Sequence, residues 1–144
     1  MIESRATVAV DDLCDMQQDA LNLRAVALVP VLVEQLAVDD DETRQAIAHL
    51  SEWNGVSEPH SVATTIFNVF YSLWCETVSN ARFDGAAADL MKKGVDPVAS
   101  RLLKSDPHGW FPDGDRHQKL KQTFAGTLAF LRDRLGSEMT DWRW

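Results

Sequence analysis

Histidines are the side chains in this sequence best suited to bind a metal, and there are four, at positions 49, 60, 108 and 117. Two imidazoles on one helix share a face only at a spacing of three or four residues, which no pair here has. Asp39–Glu42 places four carboxylates in a row, without the alternating ligands and glycine of a calcium loop. The sequence therefore predicts no metal site, and the acidic run is expected to begin a helix.

The two cysteines, Cys14 and Cys75, offer little chemistry by their spacing. They do not form a Cys-x-x-Cys pair, and two thiols in a chain of this size do not make a disulfide framework. Free cysteine is among the most buried residue types, so both are expected to be small core side chains. They leave the cellular compartment open.

Composition excludes several classes of function. The 144 residues are 45% hydrophobic and 25% charged, with a formal net charge of -8, as in an ordinary globular protein. Nucleic-acid binding needs clustered Lys and Arg, but here Lys92-Lys93 is the longest basic run. The longest apolar stretch, Ala25–Val33, is about half of what a membrane helix needs. No secretory signal is visible, so the localisation stays unknown. The sequence predicts no cofactor.

Apolar side chains recur at helical spacing along most of the chain. The last helix is the clearest, because five apolar residues lie along one face: Leu120, Phe124, Leu128, Leu131 and Leu135. Sustained alternation typical of strands is absent. The sequence predicts an all-α fold of four to five helices around one core, as a single helical domain or fragment, 1–144. The predicted helices cover about 10–36, 41–53, 59–79, 97–104 and 116–135.

Punctuating residues set the expected helix ends. Pro30 is expected to kink or break the first helix, and Pro59 suits the first turn of the third. Two further helical turns could lie between Ala86 and Lys93. Gly136 is the expected cap of the last helix. The five Trp are expected to pack helices together and not to line an aromatic ligand pocket.

The segment Leu135–Trp144 carries a family resemblance. A Leu-Gly pair closing a late helix, then a polar turn and Trp-x-Trp, resembles the large subunit of the penicillin acylase (penicillin amidase) family of N-terminal nucleophile hydrolases. Further motifs match in the same order, with Asn54 standing where the family usually has Asp. These motifs are Val10-Asp11-Asp12-Leu13, Gln17-x-Asp19, Leu50-x-x-Trp53-Asn54-Gly55, and Leu102-Leu103 with Trp110-Phe111.

The resemblance implies an excised helical segment of a larger α+β amidohydrolase. Such a parent hydrolyses a linear amide with the side chain of a processed N-terminal residue, whose own α-amino group serves as base. Met1 has no such nucleophile. Ser79-Asn80 matches the start of the family's processed subunit, but Arg82 stands where that subunit has Trp, and Val78 where the family has Gly. No catalytic residue is therefore assigned, and Ser79 is expected to end a helix.

The implied partner is the remainder of the parent enzyme, whose acyl substrate could be a penicillin, a cephalosporin side chain or an acyl-homoserine lactone. Removed from that parent, the chain is expected to self-associate through exposed apolar surface. The alternative is a free-standing helical interaction module that dimerises through Ala25–Val33 or through Trp142 and Trp144.

Overall fold

The computed structural model describes residues 20–36, 40–112 and 114–143. Across these residues the predicted all-α fold is confirmed: they contain no strand, only an isolated bridge between Leu21 and Val56. The helix count is six, one above the expected range, and a 3-10 turn at Met139–Asp141 follows the last of them. The helices are α1 (Leu23–Gln35), α2 (Asp41–Glu52), α3 (Val62–Asn80), α4 (Gly85–Met91), α5 (Asp96–Lys104) and α6 (Arg116–Leu135).

Helix α1 begins at Leu23, so the prediction of one continuous helix over 10–36 is wrong at residues 20–22. Asn22 accepts a bond from the Ala25 amide through Oδ1 at 2.9 Å and caps the helix. Before the cap the chain is held to the α2–α3 loop, because the Asn22 amide donates to the Gly55 carbonyl and the Ser57 amide to Ala20, each at 2.8 Å. The predicted portion 10–19, including Gln17 and Asp19, lies outside the described residues.

A kink or a break was expected at Pro30, and α1 runs through this residue without a break. Proline removes one intrahelical bond, which leaves the carbonyl of the residue four positions earlier, Val26, without its helical donor. Val26 is 50% exposed and Pro30 is also exposed. Solvent can therefore reach the helix on the side where the bond is missing, so the helix continues to Gln35.

Side-chain caps fix the starts of α2 and α3. Asp40 accepts from both the amide and the hydroxyl of Thr43, at 2.7 and 2.8 Å, which confirms the acidic run as a helix start for the residues described. The hydrogen bond from the Thr43 amide is the main reason that the pKa of Asp40 is lowered. Ser61 caps α3 at Val62. Pro59 therefore lies before the helix and not in its first turn.

Helix α3 is the centre of the fold. It packs against α6 through an edge-on contact of Phe70 with Phe124, with centroids 5.8 Å apart, and through a 3.0 Å hydroxyl bond between Thr77 and Thr123. Its exposed residues recur every fourth position, on one stripe: Asn68, Ser72, Glu76 and Asn80. Every other side of α3 is covered or partly covered, which explains why its sequence is so apolar.

The predicted bounds of α6 are confirmed, and four of its five stripe residues are buried: Leu120, Phe124, Leu128 and Leu131. The fifth, Leu135, is 39% exposed, because the last turn of the helix extends beyond the core. Gly136 then ends the helix with φ +99°, as expected of a glycine cap. No described helix is long and apolar enough to cross a membrane.

Hydrogen bonds of two polar side chains connect α1, α5 and α6 where α5 ends. The Arg116 guanidinium donates to the Leu103 carbonyl at 2.9 Å and to Gln35 Oε1 at 2.6 Å. Gln35 Nε2 also donates to the Leu103 carbonyl, at 3.0 Å. Carbonyls of a last helical turn lack intrahelical donors. One cation and one amide therefore satisfy the end of α5 while connecting it to two other helices.

Candidate functional site

A polar cleft of about 650 Å³ lies between α1, α3, α5 and the turn that follows α4. Arg24 of α1 reaches across it to Asp96 of α5, with 2.9 Å between Nη2 and Oδ2. The same guanidinium lies 4.5 Å from the ring centroid of Tyr71, within the range of a cation–π contact. Cys75 lies one turn further along α3. Three helices and the turn after α4 thus contribute side chains to one cleft.

The Tyr71 hydroxyl is held by α5 from two sides. It lies 2.6 Å from Ser100 Oγ and donates to the Asp96 carbonyl at 3.0 Å. Burial raises the pKa of Tyr71 above its ordinary value. At neutral pH the residue is therefore a protonated phenol engaged in the α3–α5 contact, and it does not act as a base.

Burial also raises the pKa of the Cys75 thiol, to about 11, and the nearby Asp96 carboxylate adds to the rise. The nucleophilic form of cysteine is the thiolate. Because the thiol holds its proton at neutral pH, Cys75 is not an activated nucleophile. This residue is buried, as predicted; Cys14 lies outside the described residues.

We expect Cys75 in a Cys14→Ser chain to react with iodoacetamide far more slowly when folded than when unfolded in urea. At pH 7.5 to 8.5, below the raised pKa, the folded thiol is both buried and protonated, whereas the unfolded thiol has an ordinary pKa of about 8.5. The folded rate should keep rising up to about pH 11, and the unfolded rate should level off earlier. Equal folded and unfolded rates at pH 8 would contradict the assigned burial.

Ser79 lies at the end of α3, as expected, and is fully buried. Its Oγ donates to the Ala88 carbonyl of α4 at 2.8 Å. A nucleophilic serine needs a base within reach of its hydroxyl and space for a substrate. Here the hydroxyl proton is committed to a carbonyl, so Ser79 joins two helices.

The other candidates from the sequence do not come together. His60, His108 and His117 are exposed and His49 is partly buried. Within the described residues, no three His, Cys, Asp or Glu side chains gather closely enough to hold a metal ion. Arg24, Tyr71, Asp96 and Ser100 were not singled out from the sequence, because Arg24 and Asp96 are 72 positions apart and no local motif links them.

All four tryptophans in the described residues donate their indole N–H to a backbone carbonyl. The acceptors are Val56 for Trp53, Ala99 for Trp74, Val78 for Trp110 and Gly136 for Trp142, at 2.8 to 2.9 Å. Buried indoles usually find such a partner. The rings serve packing, as predicted, and each fixes a different segment of chain; Trp144 lies outside the described residues.

The loop before α6 folds back onto α3, as expected for Trp110-Phe111. Asp106 organises it by accepting from the amides of Trp110 and Phe111 at 2.7 and 3.0 Å. Burial alone would raise the pKa of Asp106, but these two hydrogen bonds, together with the charges of Arg82 and Arg116, lower it. Phe111 is then buried against Trp74, with ring centroids 5.7 Å apart.

Comparison with known proteins gives one clear result. No curated protein matches the chain. The family model described as penicillin amidase matches it from residue 1 to residue 144. That match covers all 144 residues, including the described helices and the segments Val10–Leu13 and Leu135–Trp144 on which the resemblance depended. The chain belongs to the penicillin amidase family.

Proposed function

We propose that this chain is a structural helical segment of a penicillin acylase-like amidohydrolase. The parent would hydrolyse a linear amide to an acid and an amine, using a serine nucleophile that lies outside these 144 residues. Membership of the penicillin amidase family supports an amidohydrolase-related parent. The observation that carries the structural role is the burial of Ser79, the one serine in a Ser-Asn pair, inside the α3–α4 contact.

The chemistry of N-terminal nucleophile hydrolases explains why that burial matters. The nucleophile's own α-amino group is the base, so the residue must stand at a free chain start. Ser79 is inside a helix, and the Phe83 and Arg82 amides both donate to its carbonyl, at 3.0 and 3.1 Å. Cleavage before Ser79 would separate α3 from the turn that leads to α4. The residue is therefore better suited to holding the fold than to attacking an amide.

The segment's contribution in this proposal is rigidity. The Arg24–Asp96 pair, the Arg116–Gln35 pair and the indole bonds of Trp74 and Trp110 each join segments that are distant in sequence. Active-site groups require a supporting shell that holds its geometry within a fraction of an ångström. A helical unit cross-linked in this way provides a firm base for catalytic elements elsewhere in the parent.

We expect the purified 144-residue chain to show no turnover of phenylacetyl amides or of amides with longer acyl groups. The test is a chromatographic assay for the released acid, run beside a buffer blank. Ser79→Ala should match the unmodified chain, because the residue has no catalytic part in the proposal. Turnover that persists through purification and disappears in Ser79→Ala would contradict both the structural role and the placement of the nucleophile elsewhere.

The alternative, a free-standing interaction module, draws on the exposed apolar side of α1. Leu23 is 73% and Val26 50% exposed, and apolar surface of this kind favours a partner. Trp142 cannot contribute, since it is fully buried within the chain. The coding sequence separates the two proposals. Codons for Gly and then His soon after Trp144, with a nucleophile-bearing region before Met1, support the enzyme segment; an immediate stop codon overturns it.

A further inference from the structure

The loop between α2 and α3 contains an Asn-Gly peptide whose two halves are held in an unusual arrangement. Asn54 is exposed, and its Oδ1 accepts a bond from the Val56 amide at 2.9 Å. That bond folds the side-chain amide back across its own following peptide. Gly55 comes next with φ +81°, and no described residue accepts a bond from its N–H.

We propose that Asn54–Gly55 is a self-modification site, at which the Gly55 nitrogen attacks the side-chain amide carbon of Asn54. Base removes the proton from the Gly55 nitrogen, a bond forms from that nitrogen to Asn54 Cγ, and the Cγ–NH2 bond breaks to release ammonia. The product is a five-membered succinimide ring. Water then opens the ring at either carbonyl, which leaves aspartate or isoaspartate at position 54. No other reactant is needed.

Three features of the loop favour this ring closure. The Gly55 nitrogen is not a donor to any described residue, so its deprotonation breaks no hydrogen bond among them. The Val56 N–H polarises the carbonyl that is attacked, as a donor to an oxyanion does. Asn54 is exposed to the water that opens the ring, and the base is regenerated because its proton leaves with the ammonia.

The fold also disfavours any residue other than glycine at position 55. A Cβ there would lie 2.6 Å from Val26 Cγ2, and the positive φ disfavours any side chain. Glycine is consequently required at the position that makes its neighbour reactive. The other described asparagines differ: Asn22 caps α1, and Asn68 and Asn80 lie in α3, where Ala81 donates its amide to Thr77.

Modification would act where residues 20–22 are hydrogen-bonded to the α2–α3 loop. The Asn22 amide donates to the Gly55 carbonyl and the Ser57 amide to Ala20. Isoaspartate adds one methylene to the main chain directly before Gly55, which displaces that carbonyl from Asn22. Aspartate leaves the main chain unchanged. The two products should therefore differ in stability, with a lower Tm for the isoaspartate form.

The test is to age the folded chain at 37 °C at several pH values and follow each asparagine by peptide mass spectrometry. We expect position 54 to gain the mass difference between an amide and an acid, with both products present, while Asn22, Asn68 and Asn80 stay intact. The rate should rise with hydroxide concentration. Asn54→Gln, whose longer side chain cannot form the five-membered ring, should remain unmodified at that position and should keep its Tm on ageing.

A parallel sample unfolded in urea gives the reference rate. Conversion in the folded chain at least as fast as in the unfolded chain supports a loop arranged for ring closure. Slower conversion of Asn54 in the folded chain than in urea would overturn the proposal, because the loop would then protect the peptide. Equal loss at Asn68 or Asn80 would also overturn it. Asn54→Asp, which carries the charge without the extra methylene, should match the Tm of the aspartate product.

Discussion

Leu128→Asp should abolish the cooperative unfolding of this chain. Leu128 is 2% exposed at the middle of α6, between the buried residues Phe124 and Leu131. An ionised carboxylate placed there without a partner costs several kcal/mol, even after the surroundings relax. A domain has only about 5 to 15 kcal/mol of stability in total. Thermal unfolding followed by circular dichroism should lose its sigmoidal transition, and near-ultraviolet signals of fixed aromatic rings should disappear.

Ala129→Asp is the matched control, since it introduces the same charge one residue further along the helix at an exposed position. It should lower the free energy of unfolding by about 1 kcal/mol or less, which reflects helix propensity alone. If the two variants melt alike, the assigned facing of α6 is wrong, and with it the packing of α6 on α3.

Trp142→Ala should lower the free energy of unfolding by about 3 to 5 kcal/mol, as for other large buried aromatic side chains. The ring is fully buried, and its N–H donates to the Gly136 carbonyl at 2.8 Å. Trp142→Phe keeps most of the buried area but lacks the indole N–H, so the Gly136 carbonyl loses this hydrogen bond. Its cost should be smaller, about 1 to 3 kcal/mol. Chemical denaturation of the three proteins under one set of conditions measures both differences.

Arg143→Ala provides the comparison at the neighbouring residue. Arg143 is exposed, and its ion pair with Asp141 is long, at 3.8 Å. Exposed pairs contribute little, so the change should be about 0.5 kcal/mol or less. A Trp142→Ala protein as stable as Arg143→Ala would mean that the segment after Gly136 does not pack on the core.

The sequence was most informative where a helix carries its own boundaries. Helix α6 combines a regular apolar stripe with a glycine able to take φ +99°, so its predicted and observed bounds agree. Helix α5 carries Pro97 in its first turn, and its observed start at Asp96 lies one residue from the predicted one. These signals are local, and local signals are what a single sequence contains.

Other features depend on residues that the sequence does not bring together. The start of α1 is set by Asn22 and by bonds from residues 20–22 to residues 55–57, which no periodicity reveals. The alternative module would dimerise through Trp142, yet Gly136 turns the chain back and the ring is buried within the chain. The Arg24–Tyr71–Asp96 cleft joins three helices, so its residues gain a shared role only after folding.

Because of the four indole hydrogen bonds, intrinsic tryptophan fluorescence can report on local unfolding of this chain. Indole emission responds to the polarity and hydrogen bonding around the ring. Each of these indoles is bonded to a different part of the chain: the α2–α3 loop for Trp53, α5 for Trp74, the end of α3 for Trp110 and the C-cap of α6 for Trp142. In chains that keep one of these tryptophans at a time, the fluorescence change would show which of these contacts is lost first as the denaturant concentration is raised.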